Sequence, residues 1–463
     1  MEQDTEFVKR IAKLVKQNKE LEDNLERLTK SYEDLLSENE KYKELLSHYT
    51  PEQLAAGMAP KKRDSLRFKM ATVLFAEIHG FKKLQDQANS RDLIDELDQI
   101  YFQFDTIIEK YGIEKIKTIG DTYMAAGGIP IKNRTNPVDV VMAALEMQQY
   151  LREMQKDREK IWEMRIGIHT GQVTANEQGK KKISYDIKGE TVNTASRLEA
   201  ACDTGEINIS VWTYELIREF FNCEYYGKMP VKYSGDLEMY FVKGLRPELS
   251  ENGEGKRPNR TFSTRLQLVR FGDLQEVVLD KLEKELSEFL YYHNVKHTID
   301  VTTQAELIGW GENVTDEEIL LLKTAGLFHD IGHTIGYDEH EYKGTLIAKE
   351  MLPYYKYTEE QINDICKIIM ATKMPPKPET LLERIICDCD LDYLGRSDFI
   401  PVSNTLYKEL KAQNKIGSLN DWNRLQIKFL SFHQFFTQTA LSLREVNKQK
   451  QIERIKKEIT DED

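Results

Sequence analysis

The segment KIKTIGDTYMAAGG, residues 115–128, constrains the fold of this chain more than any other. IKTIGD runs into YMAA through Gly120, a pattern that predicts a β-hairpin. ATVLFAEI predicts a buried strand that ends in an acidic residue, and RIGIHTG predicts a further strand followed by a turn. Helical stretches such as RDLIDELDQIYFQFDTIIEKYG lie between these strands. The alternation of strands and helices predicts an α/β sandwich.

Three segments carry a family resemblance: VLFAEIHGF (73–81), KIKTIGDTYMAAGG and YDIKGETVNTASR (185–197). Together they resemble the signature of the class III nucleotidyl cyclases, the adenylyl and guanylyl cyclase family. The resemblance implies a ferredoxin-like domain over residues 66–246 and the conversion of ATP to 3′,5′-cyclic AMP and pyrophosphate. In this family the active site forms between two domains, so a chain with one domain and the full residue set implies a homodimer with two equivalent sites.

The resemblance assigns metal binding to Glu77, Asp121 and the backbone carbonyl of Ile78. Two Mg²⁺ or Mn²⁺ ions per site would bridge the attacking and leaving oxygens, and Mg²⁺ takes carboxylate ligands. Glu77 departs from the family, which usually has Asp at this position. Its extra methylene implies a slightly displaced metal, with a lower turnover or a preference for Mn²⁺.

The same resemblance assigns the substrate contacts. Lys117 and Asp186 match the base-reading pair, because a Lys donor and an Asp acceptor complement N1 and the 6-amino group of adenine; guanylyl cyclases resemble this motif with Glu and Cys instead. The alternative is a surface ion pair. Asn193 and Arg197 share a helical face and match the ribose-positioning Asn and the phosphate-clamping Arg. Lys232 matches the triphosphate-binding Lys.

The N-terminal residues 1–46 carry a heptad pattern that favours a parallel coiled coil. The a positions include Asn18 and Asn39, each of which can pair only with its twin across the seam, while the d positions are mostly Leu. The alternative is a single amphipathic helix docked on its own domain. Residues 47–65 resemble the short transducing helix that precedes many cyclase domains.

Beyond a polar linker predicted over 247–261, the residues 262–446 predict an all-α domain. YHNVKHTIDV, LLKTAGLFHDIGH and IICDCDLDYLGR resemble the HD superfamily of metal-dependent phosphohydrolases. The resemblance implies a divalent transition metal that activates a water, held by His297, His329, Asp330 and Asp390. Asp388 and Asp392 flank Asp390, so the last assignment stays open between the three.

Further histidines extend this resemblance. His333 and His340 could hold a second metal. The opening YHNxxH also resembles eukaryotic cyclic nucleotide phosphodiesterases, in which His293 takes the proton-donor position. The chain ends in residues 447–463, which predict a solvated helix and tail.

Composition limits the classes of function. The net charge of −13 argues against a general nucleic-acid binder. No apolar run approaches the roughly 20 residues that span a bilayer, and five cysteines in a large acidic chain predict reduced thiols and a cytoplasmic protein. The leading hypothesis is therefore a homodimeric adenylyl cyclase fused to an HD phosphohydrolase, with cyclic AMP as one substrate to consider. The alternatives are a degenerate cyclase domain that senses nucleotide and regulates the hydrolase, and a non-catalytic signalling scaffold.

Overall fold

The computed structural model describes residues 66–79, 90–156, 162–178, 184–231 and 235–459. The predicted coiled coil, the segment 47–65 and Lys232 lie outside these residues. Within them, an α/β domain precedes a helical domain. None of the helices described is long and apolar enough to cross a membrane.

An eight-stranded mixed sheet organises the α/β domain. Its strands are β1 (Leu66–His79), β2 (Glu114–Ile119), β3 (Thr122–Gly127), β4 (Glu163–Gln178), β5 (Ser184–Lys188), β6 (Ile207–Ser210), β7 (Phe221–Val231) and β8 (Gly235–Leu245). The order is β2-β3-β1-β4-β6-β8-β7, and β5 pairs with β4. β4 and β6 run parallel, whereas β1 and β3 are antiparallel. The predicted hairpin is β2–β3, and it lies beside the end of β1.

Helices cover the two faces of this sheet unequally. They are α1 (Ser90–Lys110), α2 (Asn136–Met154), α3 (Glu190–Ala200) and α4 (Val211–Ile217). Because strand side chains alternate between faces, Leu74 and Ile78 of β1 join the core beneath α1 and α2. Val73 and Phe75 face the other side, where Ala195 of α3 is buried against them.

The segment 247–261, predicted as a polar linker, folds against the α/β domain. Two short 3-10 turns, Pro247–Leu249 and Glu251–Gly253, fold back on β8, and Leu249 is buried in the core of the α/β domain. The Leu245 N–H donates to the Gly255 carbonyl at 2.8 Å. Backbone groups make these contacts, so the polar composition of the segment gave no sign of them.

The remaining helices form the helical domain. They are α5 (Arg260–Glu285), α6 (Val295–Gly311), α7 (Asp316–Phe328), α8 (His340–Met351), α9 (Glu359–Ala371), α10 (Leu381–Asp390), α11 (Phe399–Ala412), α12 (Leu419–Phe432) and α13 (Gln438–Lys456). Capping boxes start several of them: Thr315 with Glu318 begins α7, and Thr380 with Glu383 begins α10. Each box satisfies backbone donors that a helix leaves unpaired, so the sequence fixes where these helices begin.

The end of the chain is also a correction. The boundary predicted at 446 falls inside α13, and the residues that follow are not simply solvated. Ile452 and Ile455 are buried in the core of the helical domain, and Lys448 is 1% exposed. The Lys448 ammonium donates to the His433 carbonyl at 2.6 Å, where α12 ends. A buried cation is stable here because it is bonded to that carbonyl and paired with Glu445.

Candidate active sites

The predicted metal ligands of the α/β domain lie at adjoining strand ends. Glu77 faces Thr122 in the β1–β3 register, and the Ile78 N–H donates to the Asp121 carbonyl at 3.0 Å. Asp121 is exposed in the turn between β2 and β3, while the Ile78 side chain is buried. The sheet order therefore brings the two carboxylate-bearing segments together, although they are more than forty residues apart in the chain.

Glu77 makes ionic contacts inside this domain. Its Oε2 accepts from Arg165 Nε at 2.7 Å and lies 3.1 Å from His79 Nε2. Arg165, on β4, also pairs with Glu199 of α3. Burial by itself raises the pKa of Glu77, but the hydrogen bond with Glu199 and the charges of His79 and Arg165 bring that pKa below its ordinary value. Burial and the neighbouring Glu77 raise the pKa of Glu199 to about 7, so Glu77 is the ionised partner.

Arg165 and Glu199 were not among the predicted site residues. In the sequence, Arg165 is only the first residue of the strand RIGIHTG. Its role as the counter-ion of Glu77 depends on β4 lying next to β1 in the sheet. No local pattern carries that information.

The predicted base-reading pair comes together within one chain. Lys117 of β2 donates from Nζ to Asp186 Oδ1 of β5 at 3.0 Å. Both side chains remain accessible to solvent, and Lys188 lies 3.7 Å from the other oxygen of Asp186. A donor and an acceptor are therefore held side by side at an open edge of the domain.

Asn193 and Arg197 project from the same exposed face of α3. Thr194 and Leu198 on the opposite face are buried, which fixes the rotation of the helix. Asn193 Nδ2 lies 3.4 Å from Glu190 Oε2. Among the described residues, no hydrogen bond or ion pair joins Asn193 or Arg197 to Asp121. A single chain thus carries both halves of the predicted site without bringing them into contact.

The helical domain brings four predicted ligands into one buried cluster. His297 Nε2, on α6, lies 3.1 Å from Asp390 Oδ1 at the end of α10. It also lies 3.3 Å from Asp330 Oδ2 and 3.2 Å from His329 Nε2. His329 Nδ1 lies 2.8 Å from the Gly326 carbonyl, which leaves Nε2 directed at the carboxylates. Sequence segments 32 and 93 positions from His297 meet at this point.

A second histidine group lies on the other side of Asp330. His293, His333 and Asp330 have ligand atoms within 4.8 Å of one another, and His340 Nε2 lies 3.5 Å from Asp330 Oδ1. The rings of His333 and His340 stack with centroids 4.0 Å apart. Gly332 permits this arrangement, because a Cβ at that position would overlap the His340 carbonyl.

The structure separates the three neighbouring aspartates at the end of α10. Asp388 accepts from the Phe436 and Thr437 backbone amides at 2.9 and 2.8 Å, and so anchors the start of α13. Asp392 pairs with Arg444 at 2.7 Å. Asp390 alone of the three contacts His297, so the geometry favours Asp390 as the ligand.

Each of the two domains matches the model of a known protein family. Residues 64–244 match the family model of the adenylate and guanylate cyclase catalytic domain, and residues 294–392 match that of the HD domain. The chain joins a class III nucleotidyl cyclase catalytic domain to an HD domain. The α/β domain is called the cyclase domain below, and the helical domain is called the HD domain.

The relatives of the cyclase domain include both nucleotide specificities. An adenylate cyclase of Mycobacterium tuberculosis (strain H37Rv) is 30% identical over 212 residues, which cover 45% of this chain and 48% of that protein. Guanylate cyclase 32E of Drosophila melanogaster is 32% identical over 49% of this chain and 20% of that protein. The chain thus spans about half the length, or less, of these curated relatives. The crystal structure of the adenylyl cyclase CyaB from P. aeruginosa is 32% identical, with a TM-score of 0.36 over 39% of this chain and 95% of that one.

The donors of the HD domain fit divalent cations. Both ring nitrogens of His333 are buried and have no hydrogen-bond partner in the part of the chain that the structure describes. Leaving a buried polar group unpaired costs about 1–3 kcal/mol unless a ligand satisfies it. Burial and the charges of His293 and His340 lower the pKa of His333 to about 3 despite the opposing charge of Asp330, so its imidazole is neutral, as coordination requires. Burial alone raises the pKa of Asp330, but the charges of His329 and His293 hold it well below its usual range.

The HD domain contains a further polar contact that sequence reasoning missed. His293 Nδ1 lies 2.5 Å from Glu409 Oε1, and Glu409 is fully buried. Its other oxygen accepts the backbone N–H groups of Tyr292 and His293 at 2.9 and 3.1 Å. Burial raises the pKa of Glu409, but these bonds bring it below the ordinary value. Glu409 sits on α11, in a helix with no recognisable motif, and only tertiary packing reveals its partner.

A cavity of about 520 Å³ opens beside His293, His340 and Asp390. One wall is apolar and comes mostly from α11 and α12, with Phe399, Leu410, Trp422, Leu425 and Phe429 among its residues. Besides Asp390, the lining also includes Lys373 and three further acidic residues, Asp338, Glu339 and Glu341. The cavity is large enough for a small ligand and places it next to both histidine groups.

Proposed function

We propose that the chain is an adenylyl cyclase that converts ATP to 3′,5′-cyclic AMP and pyrophosphate at a homodimer interface. The Lys117–Asp186 contact supports this specificity most directly. A Lys donor beside an Asp acceptor complements the N1 acceptor and the 6-amino donor of adenine. Guanine reverses both groups, and such a mismatch at a base edge costs a few kcal/mol.

In this proposal the ribose 3′-hydroxyl loses its proton, its oxygen bonds to the α-phosphorus, and the bond to the departing pyrophosphate breaks. Mg²⁺ or Mn²⁺, bound by Glu77, Asp121 and the Ile78 carbonyl, would supply a Lewis acid for these oxygens. Arg197 of the partner chain would stabilise charge on the phosphoryl group. Asn193 beside it would orient the ribose, and Lys232 would contact the triphosphate.

The placement of these residues supports the proposed homodimer. Asp121 and Arg197 are both exposed, and among the described residues no hydrogen bond or ion pair joins one to the other. A two-fold dimer presents the Asp121 edge of one chain to the α3 face of the other, and it does so twice. A parallel coiled coil over residues 1–46 would raise the effective concentration of the two domains.

For the HD domain we propose hydrolysis of a phosphoester, with cyclic AMP as the first substrate to test. Lys373 and bound divalent cations would offset the single negative charge of its phosphate against the carboxylates of the lining. An adenine ring suits the apolar wall. His293, oriented by Glu409, would donate a proton to the leaving oxygen while one or two divalent transition-metal ions supply an activated water.

One observation favours a second candidate for the cyclase domain, a nucleotide sensor that regulates the HD hydrolase. Arg165 occupies the carboxylate of Glu77, the residue that already departs from the family. A metal must compete with that guanidinium. If it competes poorly, the domain binds nucleotide without turning it over.

The deciding experiment incubates the purified full chain with ATP or GTP and with Mg²⁺ or Mn²⁺. The products to measure are cyclic nucleotide, pyrophosphate and 5′-nucleotide. Cyclic AMP and pyrophosphate formed in equal amounts from ATP, and at least about tenfold less product from GTP, support the cyclase proposal. ATP that binds but stays intact supports the sensor, and 5′-AMP from added cyclic AMP supports the hydrolase.

A further inference from the structure

Helix α5 belongs to the hydrophobic cores of both domains. Phe262 is buried in the cyclase core, where its ring meets Phe220 edge-on at 5.5 Å, and Leu266 and Val269 pack beside it. From Phe271 onward, the buried residues of the same helix belong to the HD core. These residues are Phe271, Leu274, Val278 and Leu282. One continuous helix therefore replaces a hinge between the domains.

Arg134 of the cyclase domain makes polar contacts with the middle of this helix. The Arg134 N–H donates to Asp273 Oδ2 at 2.9 Å, and its guanidinium lies 3.4 Å from Glu276. Gly272 leaves room for this guanidinium, which would have to move if a Cβ were present there. Arg134 precedes α2 and follows β3, so it sits on the connection that leaves the β2–β3 hairpin.

Charges of both domains also act on a single carboxylate. Asp139, in the first turn of α2, accepts from Thr135 Oγ1 at 2.6 Å. The charges of Arg270 on α5 and of Lys356 in the HD domain act on it as well. Apolar residues of α5 and charged groups near Asp139 therefore both belong to the contact region between the two domains.

The same helix contacts the turn that carries an HD ligand. Along its length α5 packs against α7, which ends just before His329, and against the 3-10 turn Ile331–Thr334, which contains His333. From Asp121 the chain runs through β3 to Arg134. Arg134 contacts α5, and α5 in turn packs against the turn that contains His333. Cores packed as densely as crystals of organic molecules transmit a displacement rather than absorb it.

We propose that α5 couples the two sites, so that a divalent cation bound by the HD ligands stabilises the active arrangement of the β2–β3 hairpin in the cyclase domain. The proposal rests on metal binding by the HD domain, but not on hydrolysis there. A cation drawn to His333 fixes the turn 331–334 against α5. The helix then holds Arg134, and with it the strand that begins next to Asp121. Binding linkage makes the coupling reciprocal.

The test uses the full chain with Asp121→Asn, in which the HD domain is the intended metal site. Mn²⁺ is added without nucleotide, and hydrogen exchange is followed in peptides covering 128–136 and α5, with bound metal measured in parallel. We expect exchange in residues 128–136 to slow by at least about fivefold, the lower end of common allosteric couplings. The double variant Asp121→Asn/Asp330→Asn should show no change.

Activity provides the second arm. Asp330→Asn in otherwise wild-type chain should lower the cyclase rate at saturating Mg²⁺ by about fivefold. In an Arg134→Gln background that effect should shrink below about twofold, since double-mutant coupling vanishes once the connection is cut. Arg218→Gln is the matched control: Arg218 and Arg134 are both 51% exposed and ion-paired, but Arg218 pairs with Glu215, outside α5.

The outcomes separate this proposal from the proposed function. Metal bound to the HD domain with unchanged exchange at 128–136 overturns the coupling and leaves the hydrolase standing. Absence of bound metal overturns both. An Asp330→Asn effect of equal size in the Arg134→Gln and Arg218→Gln backgrounds also overturns the coupling through Arg134.

Discussion

The two sites of this chain differ in how much of each a single copy builds. In the HD domain, His297, His329 and Asp330 are buried and in mutual contact, and Asp390 closes the cluster. In the cyclase domain, Asp121, Asn193 and Arg197 are exposed, and within the described ranges no hydrogen bond or ion pair joins Asp121 to Asn193 or Arg197. Helices packed in one core can fix a ligand cluster by themselves. In the proposed function, by contrast, a second copy completes the site at the open edge of the sheet.

The difference extends to electrostatics. The buried carboxylates of the HD domain are surrounded by imidazoles, which keep the pKa of Asp330 low and give a cation a prepared set of ligands. In the cyclase domain, Glu77 already has Arg165 as its counter-ion. We therefore expect the HD site to bind a metal ion in the free protein. The cyclase site should need nucleotide and a partner chain before its carboxylates bind metal well.

The largest expected effect is the loss of each activity with its own ligand. Asp330→Asn should reduce phosphoester hydrolysis by more than about 10³-fold, and Asp121→Ala should do the same to cyclic AMP formation, because losing a metal ligand removes several kcal/mol of transition-state stabilisation. Both rates are measured on each variant. Either variant retaining activity within about tenfold of wild type removes that residue from the metal site.

Complementation separates the two sites most sharply. A mixture of Asp121→Ala and Arg197→Ala chains should regain about a quarter of wild-type cyclase activity, because half of the dimers are mixed and each mixed dimer has one intact site. A mixture of Asp330→Asn and His297→Ala chains should regain no hydrolase activity. Native mass spectrometry verifies that mixed dimers form. Cyclase activity that stays absent in proven mixed dimers would contradict a shared interfacial site.

The base-reading pair tests specificity at the open site. Changing Lys117→Glu together with Asp186→Cys should shift the ratio of ATP to GTP turnover by about 100-fold toward GTP, since both hydrogen-bonding groups then match guanine. Lys188→Gln is the matched control, because Lys188 also lies near Asp186 but has no predicted base contact. Competition between the two nucleotides gives the ratio. If the control moves the ratio as far as the double variant, the pair does not read the base.

Dilution provides a milder contrast. Deleting residues 1–46 should lower cyclase specific activity by about tenfold at nanomolar protein while leaving the HD rate unchanged, because only the cyclase site depends on effective concentration. Both rates are followed across a dilution series of the full and truncated chains. Identical concentration dependence in the two chains would assign the heptad segment another role.

The smallest expected effect concerns Asp139, in the contact region between the two domains. Burial raises the pKa of Asp139 to about 6, although Thr135 and nearby cations oppose the shift. Between about pH 4 and pH 6, Asp139 is therefore protonated in the folded state and ionised in the unfolded state. Its contribution to the free energy of unfolding is fully present below about pH 4 and is lost as the pH rises through about 6. Asp139→Asn should remove this dependence on pH and raise the free energy of unfolding at pH 7 by about 1–2 kcal/mol relative to wild type. Urea unfolding at pH 4.5 and pH 7 measures it; an equal difference at both pH values would contradict the assignment.

Sequence motifs predicted both domain families, and the comparisons confirm them. The reason is chemical: phosphate, metal and base contacts require particular side chains at fixed positions on strands and helices. The motifs also indicated the β2–β3 hairpin and the order of the HD segments. They did not indicate Arg165 or Glu409, because an ion pair across a sheet or between distant helices leaves no local periodicity. Nor did they indicate that the segment 247–261 folds back on β8, because the backbone bonds that hold it there do not depend on residue type.

By itself, then, the sequence determined which chemical groups are available and which helices and strands carry them, since motif spacing and capping are local properties. Only the tertiary structure decided which groups meet. Of the three neighbouring aspartates, Asp390 contacts His297, whereas Asp388 and Asp392 have other partners. The tertiary structure also places α5 in the hydrophobic cores of both domains. The sequence alone does not show this, because the burial of an apolar face depends on which elements pack around it.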